Sequence, residues 1–165
     1  MRTLPIIAQF LAAMTMGLAL AHALELPGKL RLDKRAYKTV QEIYYPGFTL
    51  GGLVGEFGAI VALLTLAYMT PFGTNRSYWT IAALLLMIAV HATYWILIHP
   101  INSFWVKKLE MAPAGARLFK FHAATDNGDA NECWKNKRNV WETSHVIRAV
   151  LAALSFLAIT VAVSL

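Results

Sequence analysis

Four long apolar stretches constrain this chain of 165 residues more than any other feature, and each carries ionisable side chains. The stretches cover roughly residues 3–24, 48–69, 78–98 and 141–165. A helix needs about 20 apolar residues to cross the hydrocarbon core of a bilayer, so each stretch is long enough to span a membrane. Only 15% of the residues are charged, which leaves little sequence for a separate soluble domain. The sequence therefore predicts an all-α protein, a single integral membrane four-helix bundle over residues 1–165.

The first stretch imitates a secretory signal. Arg2, the apolar run and Ala21-His22-Ala23 resemble a charged start, a hydrophobic region and a small-residue cleavage site. The hydrophobic region of a signal is typically about 7–15 residues, which is shorter than this run. We therefore expect a retained first span that ends at Pro27, followed by a short surface helix within residues 31–45.

Basic residues predict the orientation of the chain. They cluster after the first stretch and again after the third, at Lys29, Arg31, Lys34, Arg35 and Lys38, and at Lys107, Lys108, Arg117, Lys120, Lys135, Lys137 and Arg138. Lys and Arg are enriched in cytoplasmic loops, so we expect both segments in the cytoplasm and both termini outside it. The net charge of +6 suits contact with lipid headgroups, and no nucleic-acid-binding motif appears.

The ionisable residues within the stretches predict a buried polar site, because a charge in hydrocarbon is costly without a partner or a function. At a rise of about 1.5 Å per residue, His22, His99 and His145 should lie at a similar depth on three different helices. Glu56 should lie somewhat deeper, on a helix face of Gly and Ala residues that lets helices approach closely. We expect these four side chains to face one pocket.

Imidazole and carboxylate groups together favour a metal site. The pairs His22-x-x-Glu25 and Glu142-x-x-His145 have i, i+3 spacing, and soluble di-iron bundles use Glu-x-x-His pairs together with further Glu residues. The predicted ligands are His22, Glu56, His99 and His145, with iron or copper favoured and zinc as the alternative. Glu25 and Glu142 are predicted to move protons, and Arg148 to contact a carboxylate or an anionic substrate.

The same residues also permit a structural interpretation, in which they form buried pairs such as Glu142 with Arg148. His91 lies about 12 Å from His99 along a regular helix, so the two cannot bind one ion. His91 is then either a core histidine bonded to a backbone carbonyl or part of a second site. Other residues predict simpler roles: a solvated His122, a reduced Cys133 without a disulfide partner, and interfacial anchors at Tyr44, Tyr45, Trp105, Trp134 and Trp141.

Several short motifs resemble the anthrone oxygenase-like family of small four-span membrane proteins. They are His99-Pro100-Ile101-Asn102, and Trp141 followed by His145 and Arg148. The segments 21–29 and 41–45 resemble a bacterial branch of that family, which implies a bacterial inner membrane as the location. The resemblance implies a four-span fold and oxidation of a hydrophobic substrate by oxygen. It also implies catalysis without a cofactor, so the His and Glu set would be a departure from the family.

Three functional classes follow from these observations. The first is a metal-dependent membrane oxidase or oxygenase that takes a hydrophobic small molecule from the bilayer. The second is a haem-binding electron carrier with histidines as axial ligands. The third is a non-catalytic subunit or proton-conducting module of a larger membrane complex. A homo-oligomer is compatible with all three.

Overall fold

The computed structural model describes residues 3–105 and 130–165, which form four long helices. Helix α1 is Thr3–Lys29, α2 runs from Lys34 to Met69, α3 from Asn75 to Trp105, and α4 is Ala130–Ser164. Each is long and apolar enough to cross a membrane, and these ranges contain no strand. The chain is therefore an all-α four-helix integral membrane protein, which confirms the predicted fold class.

The helices extend beyond the apolar stretches at one end of the bundle. Helix α1 continues through Pro27 to Lys29, so the expectation that Pro27 ends it is wrong. A proline this close to the end of a helix removes only one late backbone hydrogen bond. The surface helix expected within residues 31–45 is instead the beginning of α2. Asp33 caps it, because its carboxylate accepts from the Ala36 backbone N–H at 2.8 Å.

Two π turns interrupt the helices near this end. One is Leu53–Phe57 in α2, between Lys34–Gly52 and Gly58–Met69, and the other is Tyr94–Ile98 in α3, between Asn75–Thr93 and His99–Trp105. A π turn changes which side chains face the bundle, and such turns are common at functional sites. The first contains Glu56, and the second separates His91 from His99.

Glycines bring α1 and α2 into close contact. A Cβ atom on Gly55 would lie 2.9 Å from the Thr15 Oγ1 atom, and one on Gly58 would lie 3.2 Å from the Leu11 Cδ1 atom. The glycine-rich face of α2 therefore packs within the bundle, as small residues do between membrane helices. This packing accompanies the burial of Glu56, whose side chain is only 7% exposed.

Aromatic residues fill the end of the bundle where the helices extend. Tyr37, Ile98, Trp134 and Trp141 form one buried cluster, and Tyr45 is buried as well. The expectation of interfacial anchors is therefore wrong for Tyr45, Trp134 and Trp141, because the beginnings of α2 and α4 are part of the packed bundle. Several predictions concern side chains outside those that the structure describes: Trp105, Lys107, Lys108, Arg117, Lys120, His122 and Cys133.

Candidate functional site

Ionisable and polar side chains from all four helices meet at the end of the bundle that contains the C-terminus of α1 and the N-terminal halves of α2 and α4. We call this set the polar cluster. Most of its members are buried, so their charges and hydrogen bonds must be satisfied by one another. Its residues are His22, Glu25, Lys29, Tyr37, Glu56, His91, Glu142, His145 and Arg148.

Two imidazoles from different helices lie together in the cluster. The ring centroids of His22 and His145 are 4.3 Å apart, and the Trp141 ring lies 4.0 Å from that of His145. Both histidines are buried. The structure thus brings these two histidines of α1 and α4 together.

A cation contacts each of these imidazoles. The Lys29 Nζ atom is 3.4 Å from the His22 Nδ1 atom, and the Arg148 Nη1 atom is 3.4 Å from the His145 Nδ1 atom. Ammonium and guanidinium groups can only donate hydrogen bonds, so both Nδ1 atoms accept, and each neutral imidazole carries its proton on Nε2. Within the part of the chain that the structure describes, the buried His145 Nε2 atom has no hydrogen-bond partner. His145 therefore holds an unused N–H donor inside the cluster.

Glu142 holds an unused acceptor nearby on the same helix. The Tyr37 hydroxyl donates to its Oε1 atom at 2.7 Å, and the Lys29 Nζ atom is 4.0 Å from that same oxygen. The other oxygen, Oε2, is buried and has no hydrogen-bond partner among the described residues. Glu142 and His145 are three residues apart, so they share one face of α4.

Lys29 links the cluster to its more exposed edge. Its side chain is only 3% exposed, and its Nζ atom lies 2.9 Å from the Glu25 Oε2 atom. Glu25 itself is 30% exposed. Sequence reasoning assigned Lys29 to a basic loop and did not single out Tyr37. The i, i+4 spacing of Glu25 and Lys29 could have predicted their ion pair. No pattern in the sequence predicts that Lys29 is buried.

Glu56 is the carboxylate partner of Arg148. Arg148 Nη2 forms an ion pair with Glu56 Oε1, so the carboxylate that pairs with this guanidinium is Glu56 and not Glu142. The other Glu56 oxygen lies 3.3 Å from the His91 Nδ1 atom, and His91 Nε2 accepts from the Trp95 indole N–H at 2.9 Å. His91 is therefore bonded to a carboxylate, not to the backbone carbonyl expected for a core histidine.

His99 belongs to an aromatic layer beside the cluster. It is buried, and its ring centroid lies 4.7 Å from that of Trp95 and 6.0 Å from that of Tyr94. The Arg148 guanidinium lies over the Tyr94 ring at 5.6 Å. Asn102 donates to the Tyr94 hydroxyl oxygen at 3.3 Å and accepts from the Trp141 indole N–H at 3.0 Å. These contacts fix the rings around the guanidinium.

The predicted metal ligands are engaged with other groups of the cluster. Among the side chains that the structure describes, no three His, Cys, Asp or Glu groups could hold one metal ion. The Nδ1 atoms of His22 and His145 already face cations, and Glu56 is paired with Arg148. The carboxylates of Glu25, Glu56 and Glu142 pair with the two cations of the cluster, Lys29 and Arg148. The metal ligands predicted from the sequence, including His99, thus stay a prediction, and a metal would need Lys29 and Arg148 to move.

Fold and site together define a four-span membrane protein with an acid–base cluster buried at one end of its bundle. Residues 47–158 match the family model described as anthrone oxygenase. That match covers more than half of the chain, which therefore belongs to the anthrone oxygenase family, as its motifs predicted. No curated protein and no solved structure matches the chain. The matched range includes Glu56, Glu142, His145 and Arg148, whereas α1 lies outside it.

Proposed function

We propose that this protein is a membrane oxygenase that oxidises a hydrophobic anthrone-like compound at the polar cluster. Family membership supports oxygen chemistry on such a compound. The observation that carries the proposal is the pair of unused groups on α4, the Glu142 Oε2 atom and the His145 Nε2–H group. They offer a proton acceptor and a hydrogen-bond donor on one face of α4, and Lys29 and Arg148 contact the same two side chains.

In the first step, Glu142 acts as a general base. It removes a proton from the CH2 group opposite the substrate carbonyl, and the resulting negative charge moves onto the carbonyl oxygen. The His145 Nε2–H group donates to this oxyanion, and the positive charges of Lys29 and Arg148 stabilise it. A positioned general base typically contributes about 10²–10⁴-fold, and one oxyanion donor about 10²–10³-fold.

The second stage consumes one O2 molecule. The substrate carbanion transfers electrons to O2 and forms a C–O bond, and protonated Glu142 returns its proton to the peroxide. Removal of the second C–H proton then breaks the O–O bond, which leaves a ketone and releases hydroxide as water. The balance is CH2 + O2 → C=O + H2O, so the substrate itself is the reductant.

Anthrone in proteoliposomes tests this proposal. Wild-type protein should consume one O2 per anthrone and form anthraquinone, and Glu142→Gln should lose about 100-fold or more of the rate because the base is gone. Glu42→Gln is the matched control, since Glu42 is an exposed carboxylate on α2. The proposal fails if wild-type protein leaves anthrone unchanged or if Glu142→Gln keeps full activity.

Metal analysis and absorption spectra decide between this mechanism and the metal-dependent one predicted from the sequence. We expect the rate to survive a strong chelator. If chelation abolishes the rate and iron or copper restores it, a metal held by histidines such as His22 and His145 replaces the base mechanism. A visible haem spectrum would instead support the electron carrier.

We also propose that the enzyme lies in a bacterial inner membrane with both termini outside the cytoplasm. Lys29 is buried, but Arg31, Lys34, Arg35 and Lys38 still make the α1–α2 connection basic, which favours its cytoplasmic placement. Epitope tags on the two termini should be accessible on intact spheroplasts. Tags that become accessible only after lysis would reverse this orientation.

A further inference from the structure

One member of the polar cluster reaches the outer surface of the bundle within a membrane span. The His91 side chain is 36% exposed, whereas those of Glu56 and Arg148 are 7% and 10% exposed. Trp95, one turn further along α3, is 39% exposed. A partly exposed ionisable group within a span is costly and is by default a functional-site hypothesis.

Four contacts lead from Trp95 at this surface to His145, the proposed oxyanion donor. Trp95 Nε1 donates to His91 Nε2, so the His91 proton is on Nδ1, which donates to Glu56 Oε2. Glu56 pairs with Arg148, and Arg148 contacts His145. A compound that reaches Trp95 from the bilayer is therefore beside the first link of a path into the cluster.

Aromatic rings lie next to the exposed His91–Trp95 pair. The Trp95 ring centroid lies 4.7 Å from that of His99 and 5.5 Å from that of Tyr94. Flat rings favour stacking with another aromatic molecule. The Trp95 indole N–H can move from His91 to an oxygen of that molecule, whereas a lipid acyl chain has no acceptor for it. The exposed pair thus combines ring stacking with one polar contact.

We propose that the His91–Trp95 pair is the site where a planar aromatic ketone leaves the bilayer and first binds the protein. This inference rests on the proposed function for the identity of the substrate class. Trp95 stacks on the rings and donates to the carbonyl oxygen, and His91 supplies the polar edge that orients that oxygen toward Glu56 and Arg148. Both are binding residues on the way to Glu142 and His145.

Binding of 9,10-anthraquinone in proteoliposomes tests the site, because this ketone has no CH2 group to oxidise. Wild-type tryptophan fluorescence should be quenched in a saturable way as the mole fraction of anthraquinone in the bilayer rises. Trp95→Leu should raise the half-saturating mole fraction about tenfold, since it loses both the stacking and the hydrogen bond. Trp95→Phe, which keeps a ring, should fall between the two.

Trp79→Leu is the matched control. Trp79 is also exposed on α3, at 44%, but it lies sixteen residues from Trp95, toward the other end of the helix. The control should saturate as wild-type protein does, and His91→Leu should behave like Trp95→Leu. The inference is overturned if quenching is linear in wild-type protein, or if Trp95→Leu and Trp79→Leu saturate alike.

Turnover separates this inference from the proposed function. Trp95→Leu should raise the half-saturating mole fraction of anthrone, whereas Trp79→Leu should leave both this fraction and the maximal rate of O2 uptake at the wild-type values. Saturable anthraquinone binding that depends on Trp95, without any O2 uptake, would overturn the oxygenase proposal alone. Anthrone oxidation with the same half-saturation in wild type and Trp95→Leu would overturn the access site alone.

Discussion

The two ends of the bundle are held together by different interactions. At the end that holds the connection between α2 and α3, all four helices pack through small and aliphatic side chains, with few polar contacts. Examples are Ala8, Ala12, Leu63 and Ala162. At the other end, Glu56 pairs with Arg148 and Lys29 contacts Glu25, His22 and Glu142. The first end is a scaffold that tolerates changes of similar volume, whereas each group at the second end depends on particular partners.

This difference follows from the membrane environment. Lipid tails are as apolar as the side chains, so close packing of small residues holds the scaffold end together. A buried ion pair adds little net stability, but removal of one partner leaves an uncompensated charge. Substitutions at the two ends should therefore differ in how much they lower the free energy of unfolding. They should also differ in whether they change the rate of O2 uptake.

The largest effect is expected for Arg148→Gln. Loss of the guanidinium leaves Glu56 buried without its cation and should lower the free energy of unfolding by about 3–5 kcal/mol. Unfolding in mixed detergent micelles measures the change, and O2 uptake should be lost as well. The double variant Glu56→Gln/Arg148→Gln should be more stable than Arg148→Gln alone. If the single and the double variant are equally stable, the stability of the polar end does not depend on the ion pair.

A smaller effect is expected for Gly55→Ala, where α1 and α2 meet. The new Cβ atom would lie 2.9 Å from the Thr15 Oγ1 atom and 3.1 Å from the Met14 Cε atom, so overpacking should cost about 1–3 kcal/mol. Gly17→Ala is the control, because no atom lies within 4 Å of its new Cβ, and it should be neutral or stabilise α1 by up to about 1 kcal/mol. Equal stability of both variants would contradict the close helix contact.

The smallest effect is expected for Ser155→Ala, which belongs to the scaffold. The Ser155 hydroxyl donates to the Ala83 carbonyl at 2.8 Å and joins α4 to α3. Hydrogen bonds between membrane helices contribute about 0.6 kcal/mol on average, so the free energy of unfolding should change by about that much. The rate of O2 uptake should stay at the wild-type value. A loss of activity in a stable Ser155→Ala protein would show that the two ends are coupled.

The sequence predicts the spans well because crossing a membrane depends on local apolar length. It also places His22 and His145 at a common depth, since rise per residue is a local property. The burial of Lys29 could not be predicted in this way. Lys29 follows Pro27-Gly28, which is typical of a loop, and its burial depends on contacts with residues far along the chain, such as the Trp141 ring. The two π turns likewise have no simple sequence signature.

Helix α1 supplies His22 and Lys29 to the cluster, although the family match begins only at residue 47. The matched range thus supplies Glu142, His145 and the Glu56–Arg148 pair. Helix α1, outside that range, supplies the charge of Lys29. An exchanged first crossing would leave Glu142 and His145 in place but alter the electrostatic field around them. Changes in α1 alone could then alter the chemistry from one relative to another, while the other three helices stay the same.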